Sequence, residues 1–152
     1  MALVRTDDAL LRRTAWLMLV TDVGFLVYWA LIATRALPAE QMFANYDDPF
    51  VAAWNWSFLP LDVLASLTGF LALRALHLGR SGAAVLLPIS LTLTATAGGM
   101  ALAFWTLTGD FELSWWVPNA YLMIFPLPLL LRLVRRPLGA PDLRQPTQHP
   151  SQ

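Results

Sequence analysis

The chain contains no cysteine, no lysine and few charged residues of any kind. The absence of cysteine excludes a disulfide framework and thiol chemistry. With two histidines and no cysteine, the usual zinc site is not expected, and we predict neither a metal nor a cofactor. The formal net charge is zero, so the chain has no bulk attraction to nucleic acid.

Charged residues make up only 13% of the 152 residues, whereas hydrophobic residues make up 57%. Soluble domains carry about 25% charged residues, so this composition excludes an ordinary soluble globule. The length is that of one domain. Four stretches have the roughly 20 mostly apolar residues needed to cross the hydrocarbon core of a bilayer. They cover about residues 14–33, 51–73, 83–107 and 115–134.

The arginine distribution predicts the orientation of these four spans. Only Arg35 lies in the loop after the first span. Loops rich in arginine stay in the cytoplasm, and an even number of spans puts both chain ends on one side. The sequence therefore predicts an all-α, integral membrane four-helix bundle in the bacterial cytoplasmic membrane, with both termini cytoplasmic. The arginines on the cytoplasmic side are Arg5, Arg12, Arg13, Arg74, Arg80, Arg132, Arg135, Arg136 and Arg144.

The transmembrane domain covers residues 14–136 and is flanked by two shorter cytoplasmic segments. Residues 1–13 form the N-terminal segment. Residues 137–152 contain four prolines and almost no apolar side chains. Such a segment buries too little apolar surface to fold alone, so we expect a disordered tail.

Two carboxylates, Asp22 and Asp62, lie inside long apolar stretches with no basic residue at their depth. A carboxylate in hydrocarbon is costly, so it usually faces a bundle interior or a water-filled cavity and has a function. A rise of about 1.5 Å per residue places both near the middle of antiparallel helices, so we expect them to approach each other.

Polar and small residues form a stripe on the second span at helical spacing, and Asp62 lies within it. The alternative for both carboxylates is a structural hydrogen bond to a Ser, Thr or Trp of another helix. The tryptophans near span ends are either cavity-lining residues or interfacial anchors. The predicted ligand-binding residues are Asp22, Trp29, Trp54, Asn55, Asp62, Ser66, Asn119 and Tyr121.

Several segments resemble the YvaD-like proteins, small bacterial four-span membrane proteins of unassigned function. The resemblance covers about residues 15–135 and implies the four-span topology but little chemistry. The segments are TDVGFLVYW (21–29), FANYDDPF (43–50), AWNWSFLPLDVLASLTGF (53–70) and AFWTLTGDFELSWWVPNAYLM (103–123).

The layout also resembles, more weakly, the EXPERA group, which includes sterol isomerases and the sigma-2 receptor. That group has four or five spans, a long first outer loop and membrane carboxylates in a ligand cavity. The resemblance implies that Asp22 and Asp62 are the matching acids, with Asn119 and Tyr121 lining the cavity. The chain departs from the group because its acids lie on the first two spans with no histidine beside them.

The leading hypothesis is a protein that binds a hydrophobic or amphiphilic molecule. A cationic ligand would have an aspartate as counter-ion and tryptophan faces for cation–π attraction. Three alternatives stay open: an interaction subunit of a membrane complex, a homodimeric proton-coupled transporter, and an isoprenoid or sterol-type isomerase or cyclase. The expected partners are the bilayer and a lipophilic small molecule, with a homo-oligomer as a further option. No catalytic residue is assigned, and the balance is against an enzyme.

Overall fold

A computed structural model describes residues 8–36, 38 and 45–135, and all regular structure in these ranges is helical. The predicted tail, 137–152, and most of the predicted N-terminal segment lie outside the described residues. The six helices are α1 (Ala9–Thr34), α2 (Pro49–Ser57), α3 (Leu59–His77), α4 (Ala83–Thr108), α5 (Leu113–Ile124) and α6 (Leu127–Arg135).

These helices form four segments that are long and apolar enough to cross a membrane. The segments are α1, α2 with α3, α4, and α5 with α6. Each predicted span lies within one of them, and the first helix begins five residues earlier than the predicted span at 14–33. This earlier start follows from Asp8, whose carboxylate accepts hydrogen bonds from the backbone N–H groups of Leu10 and Leu11 and caps α1.

Proline explains why two of the four segments are broken. Pro60 has no N–H to donate to the carbonyl of Trp56, so the regular ladder is interrupted, and Phe58 separates α2 from α3. Pro126, which is fully buried, lies between α5 and α6 in the same way. Breaks of this kind are tolerated in a membrane only where the freed backbone is covered by protein or lines a cavity.

The segments pack in the order α1, α3, α4, α5, with α6 beside α1 and α4. Small residues allow the closest approaches. A Cβ at Gly98 of α4 would meet the backbone oxygen of Asn119 and lie 2.7 Å from the backbone nitrogen of Met123, both in α5. Only glycine permits this crossing, because the two helices touch backbone to backbone.

The core is divided into two parts along the bundle axis. We call the end with the first turn of α1 and the last turn of α6 the terminal end, and the opposite end the loop end. The terminal half is filled by one apolar cluster, whereas the loop half contains an aromatic cluster around Trp29 and Phe58. The cluster of the terminal half consists of Leu11, Met18, Ala72, Leu87, Leu91 and Leu129.

An ion pair between Asp8 and Arg132 joins α1 to α6 at the terminal end. Burial by itself raises the pKa of Asp8, but hydrogen bonds and the charge of Arg132 outweigh it and hold the pKa below its ordinary value. The pair therefore places both ends of the described chain at the same end of the bundle.

The contact at Gly98 leads to a stability prediction with a neighbouring control. Gly98→Ala forces a methyl group into the α5 backbone, and we expect a loss of about 1–3 kcal/mol, the usual cost of overpacking. Gly99→Ala places its Cβ 3.8 Å from the sulfur of Met123, an ordinary contact. It should therefore leave the free energy of unfolding unchanged or raise it. Unfolding in mixed detergent micelles measures both, and equal stabilities would contradict the close crossing.

Candidate functional site

Asp62 lies in the first turn of α3, directly after the helix break at Phe58. Its side chain is buried. One carboxylate oxygen, Oδ2, accepts a hydrogen bond of 2.9 Å from the indole Nε1 of Trp29 on α1. The other oxygen, Oδ1, is buried without a hydrogen-bond partner among the described residues. Asp62 therefore has a free acceptor in the loop half of the bundle.

Asn55 lies on the other side of the same break, near the end of α2. Its Oδ1 accepts a hydrogen bond of 3.0 Å from the hydroxyl of Tyr28. Its Nδ2 is buried and, in the described part of the chain, has no acceptor. Buried polar groups are normally paired, so the free Asn55 donor and the free Asp62 acceptor need an explanation.

Both side chains line a cavity of about 300 Å³ in the loop half of the bundle. This volume is at the lower end of the range for ligand pockets, about 300–1,000 Å³. The walls come from every helix except α6 and are mainly apolar and aromatic. The lining residues are Phe25, Tyr28, Trp29, Trp54, Asn55, Phe58, Asp62, Ala97, Ala101, Trp105, Trp115, Pro118, Asn119 and Leu122.

Stacked aromatic rings fix the wall formed by α2 and α4. Trp54 stacks on Phe104, with ring centroids 3.9 Å apart and planes 15° apart. It also meets Trp105 and Phe58 edge to face, at 5.5 and 4.9 Å. Such contacts add about 0.5–1.5 kcal/mol each beyond burial, so this wall is held in place before any ligand binds.

Five of the eight residues predicted to bind ligand line this cavity: Trp29, Trp54, Asn55, Asp62 and Asn119. Asn119 reaches it from α5, and its Nδ2 donates a 2.7 Å hydrogen bond to the carbonyl of Trp115 one turn earlier. The cavity therefore collects residues from α1, α2, α3 and α5 that are far apart in the sequence.

The other three predicted residues, Asp22, Ser66 and Tyr121, are not among the lining residues. Asp22 is buried where α1 packs against Gly69 of α3, and the hydroxyl of Ser66 donates to the backbone oxygen of Asp22. The Oδ2 of Asp22 has no hydrogen-bond partner within the described ranges. Tyr121 extends from α5 to Thr21 of α1, with their hydroxyl oxygens 3.3 Å apart.

The two carboxylates lie at different depths, although the sequence led us to expect them to converge. Asp62 pairs with Trp29, which follows Asp22 by two helical turns, or about 10 Å along α1. Asp22 instead packs at the level of Ser66 and Gly69, towards the terminal end. Close packing at Gly69 holds Asp22 in that seam, so only Asp62 is available to the cavity.

Sequence reasoning missed several lining residues, of which Tyr28 is the most important because it orients Asn55. The signal was present: Phe25, Tyr28 and Trp29 are spaced by three and four residues and share one face of α1. The small residues Ala97 and Ala101 of α4 also line the cavity, where their size leaves room. In the described ranges, no three His, Cys, Asp or Glu side chains come together as metal ligands.

The fold and the cavity thus define an all-helical protein with four membrane-length segments. The chain belongs to the family of unknown function DUF5360, whose model matches residues 14–138. It is 46% identical over 121 residues to the uncharacterized protein YvaD of Bacillus subtilis (strain 168), covering 78% of this chain and 91% of that protein. No solved structure matches the chain. The resemblance to the YvaD-like family is confirmed, and that to the EXPERA group stays a prediction.

The pairing of Tyr28 with Asn55 can be tested by removing single hydroxyl groups. Tyr28→Phe leaves both polar atoms of the buried Asn55 amide unpaired, and we expect it to cost about 1–3 kcal/mol of unfolding free energy. Tyr121→Phe removes a longer contact on a partly exposed side chain and should cost about 0.6 kcal/mol, the average for such contacts in membranes. Denaturation in mixed micelles measures the free energy of unfolding of both variants. A larger loss for Tyr121→Phe would show that the Tyr28–Asn55 pair is not the stronger contact.

Proposed function

We propose that the four segments cross the bacterial cytoplasmic membrane with both ends of the chain in the cytoplasm. Nine of the ten basic residues precede the first segment, follow the fourth or lie between the second and third. The ion pair of Asp8 with Arg132 supports a common side for the two ends. In this orientation the loop end faces outward, and the cavity lies in the outer half of the membrane.

We further propose that the cavity binds an amphiphilic small molecule with a cationic head. The observation that carries this proposal is the free Oδ1 of Asp62 beside the free Nδ2 of Asn55 in an aromatic cavity. Asp62 forms no ion pair with any described residue. A cation is the partner that best offsets the cost of holding a carboxylate away from water.

The two free atoms also specify the head of the ligand. An ammonium group would donate to Oδ1 of Asp62, and an adjacent hydroxyl or ether oxygen would accept from Nδ2 of Asn55. Trp29, Trp54 and Trp105 line the cavity, and a cation that reaches the face of one of these rings gains about 0.5–2 kcal/mol from the ring quadrupole. The mainly apolar lining suits the hydrocarbon body of such a molecule.

The packing of the terminal half of the bundle favours a binding protein over a transporter. The apolar cluster of Leu11, Met18, Leu87 and Leu129 fills the space between the cavity and the terminal end. A transported molecule would have to displace this close-packed core, whereas a bound molecule need only fill the existing cavity.

The proposed orientation can be tested with single cysteines, because the chain has none of its own. Glu112→Cys lies in the exposed loop between α4 and α5, and Ser81→Cys in the exposed loop between α3 and α4. A membrane-impermeant maleimide should label position 112 in intact spheroplasts and position 81 only after lysis. The reverse order of labelling would refute cytoplasmic termini.

The separation of the two carboxylates allows a matched test of ligand binding. The probe is dodecylamine with a terminal bromine, which quenches tryptophan fluorescence on contact, added to protein in phosphatidylcholine nanodiscs. Asp62→Asn keeps the size of the side chain but removes the counter-ion, so affinity should fall about 10- to 100-fold, as for a charged hydrogen bond. Asp22→Asn, outside the cavity, should bind as the unchanged protein does.

The second control is the uncharged alcohol with the same chain length and the same terminal bromine. It lacks the cation, so its affinity should differ little between the unchanged protein and Asp62→Asn. Equal losses for both aspartate variants, or no loss for either, would refute Asp62 as the counter-ion.

A further inference from the structure

The wall of the cavity is closed on three sides and loose on the fourth. The seams of α1 with α3, α3 with α4, and α4 with α5 are extensively packed. Helix α2 closes the wall between α1 and α4 through the Tyr28–Asn55 hydrogen bond and the stacking of Trp54 on Phe104. Helices α1 and α5 form opposite lips of the cavity, through Phe25 and Tyr28 on one side and Pro118 and Leu122 on the other. These two helices nevertheless share few contacts. The remaining side of the cavity is therefore a gap between α1 and α5.

Helix α5 is the least embedded of the helices around the cavity. None of its described residues is buried. Its close backbone contact is with Gly98 of α4. A helix held along one edge can move relative to α1 without disturbing the packed core of the terminal half.

One polar contact crosses the gap, between the hydroxyls of Thr21 and Tyr121. Thr21 lies one turn before the lining residue Phe25 in α1, and Tyr121 directly precedes the lining residue Leu122 in α5. At 3.3 Å the contact is long for a hydroxyl pair, and interhelical contacts of this kind contribute only about 0.6 kcal/mol. The contact spans the gap but is too weak to hold α1 and α5 together.

The polarity of the cavity lining increases from the gap towards the segment made of α2 and α3. The lips are mainly apolar, formed by Phe25, Tyr28, Pro118 and Leu122, and the one lip hydroxyl, that of Tyr28, donates to Asn55. The free polar atoms belong to Asn55 and Asp62, on the segment made of α2 and α3. A molecule lying across the cavity would place its polar head against Asp62 and its apolar end in the gap, facing the hydrocarbon of the bilayer.

We propose that the ligand is an amphiphilic amine dissolved in the outer leaflet, which enters and leaves sideways through the gap between α1 and α5. This inference rests on the function proposed above. The ligand class is thereby narrowed to molecules that partition into the membrane and have a tail longer than the cavity. Binding requires α5 to move away from α1, which breaks the contact of Thr21 with Tyr121.

The absence of native cysteine allows a direct test by tying the two lips together. Thr21→Cys and Tyr121→Cys are joined with a short bis-maleimide whose spacer contains a disulfide. Stopped-flow quenching by the brominated dodecylamine, in phosphatidylcholine nanodiscs, gives its association and dissociation rates. We expect both rates to fall at least about fivefold, because the tied lips obstruct the path between the bilayer and Asp62 in both directions. Reduction of the spacer should restore both rates.

A second tie controls for general stiffening of the bundle. Asp8→Cys and Arg132→Cys replace the ion pair at the terminal end, so the same reagent joins α1 to α6 without crossing the gap. This cross-link should leave both rates unchanged. Equal rates before and after the Thr21–Tyr121 cross-link, or equal slowing by both cross-links, would overturn lateral access.

The outcomes separate this inference from the function on which it rests. If the gap cross-link has no effect but Asp62→Asn still weakens binding, the cavity binds the amine and the lateral route is wrong. If Asp62→Asn has no effect on affinity, the proposed site is wrong, and lateral access to it is refuted as well.

Discussion

The hydrogen bond from the indole of Trp29 to the carboxylate of Asp62 is the interaction on which the loop half of the bundle depends. It joins α1 to α3 at the level where the second segment is broken between α2 and α3. A carboxylate at this depth would be costly if unpaired, and the indole satisfies only one of its two oxygens. The helix break, the adjacent cavity and the free acceptor therefore occur together at one place in the fold.

The two halves of the bundle use small residues for opposite purposes. In the terminal half, Ala72 lies among larger side chains and lets helices close on one another, so the space is filled. In the loop half, Ala97 and Ala101 line the cavity and cluster with the large rings of Trp29 and Phe58. Rings are rigid and stack on one another, as Trp54 does on Phe104, so they do not collapse into the space that the alanines leave. Cavity volume results from this mismatch in size and shape.

The four helical segments could be predicted from the sequence because length and hydrophobicity alone define them. The presence of Trp29, Asp62 and Asn119 in one cavity could also be predicted, since each residue lies on the polar or aromatic face of its helix. The separation of Asp22 from Asp62 could not be predicted from the sequence. Helical periodicity gives the face of a residue and its approximate depth, but the relative shift of two helices is set by contacts such as Asp22 on Gly69.

The role of Tyr121 was beyond prediction for a related reason. Its position near Asn119 suggested a cavity-lining residue, but the phenol extends to Thr21 instead. The direction of a long side chain depends on the neighbour that offers it a partner, and only the three-dimensional arrangement shows that neighbour.

The contact of Asp22 with Gly69 has a consequence for how this sequence can vary. A Cβ at position 69 would occupy the space of the Asp22 carboxylate and would lie 3.0 Å from the hydroxyl of Ser90. Positions 22 and 69 therefore behave as one steric unit, in which the volume gained at one position must be given up at the other. A residue larger than glycine at position 69 therefore requires a smaller residue at position 22, even though the two positions are far apart in the chain.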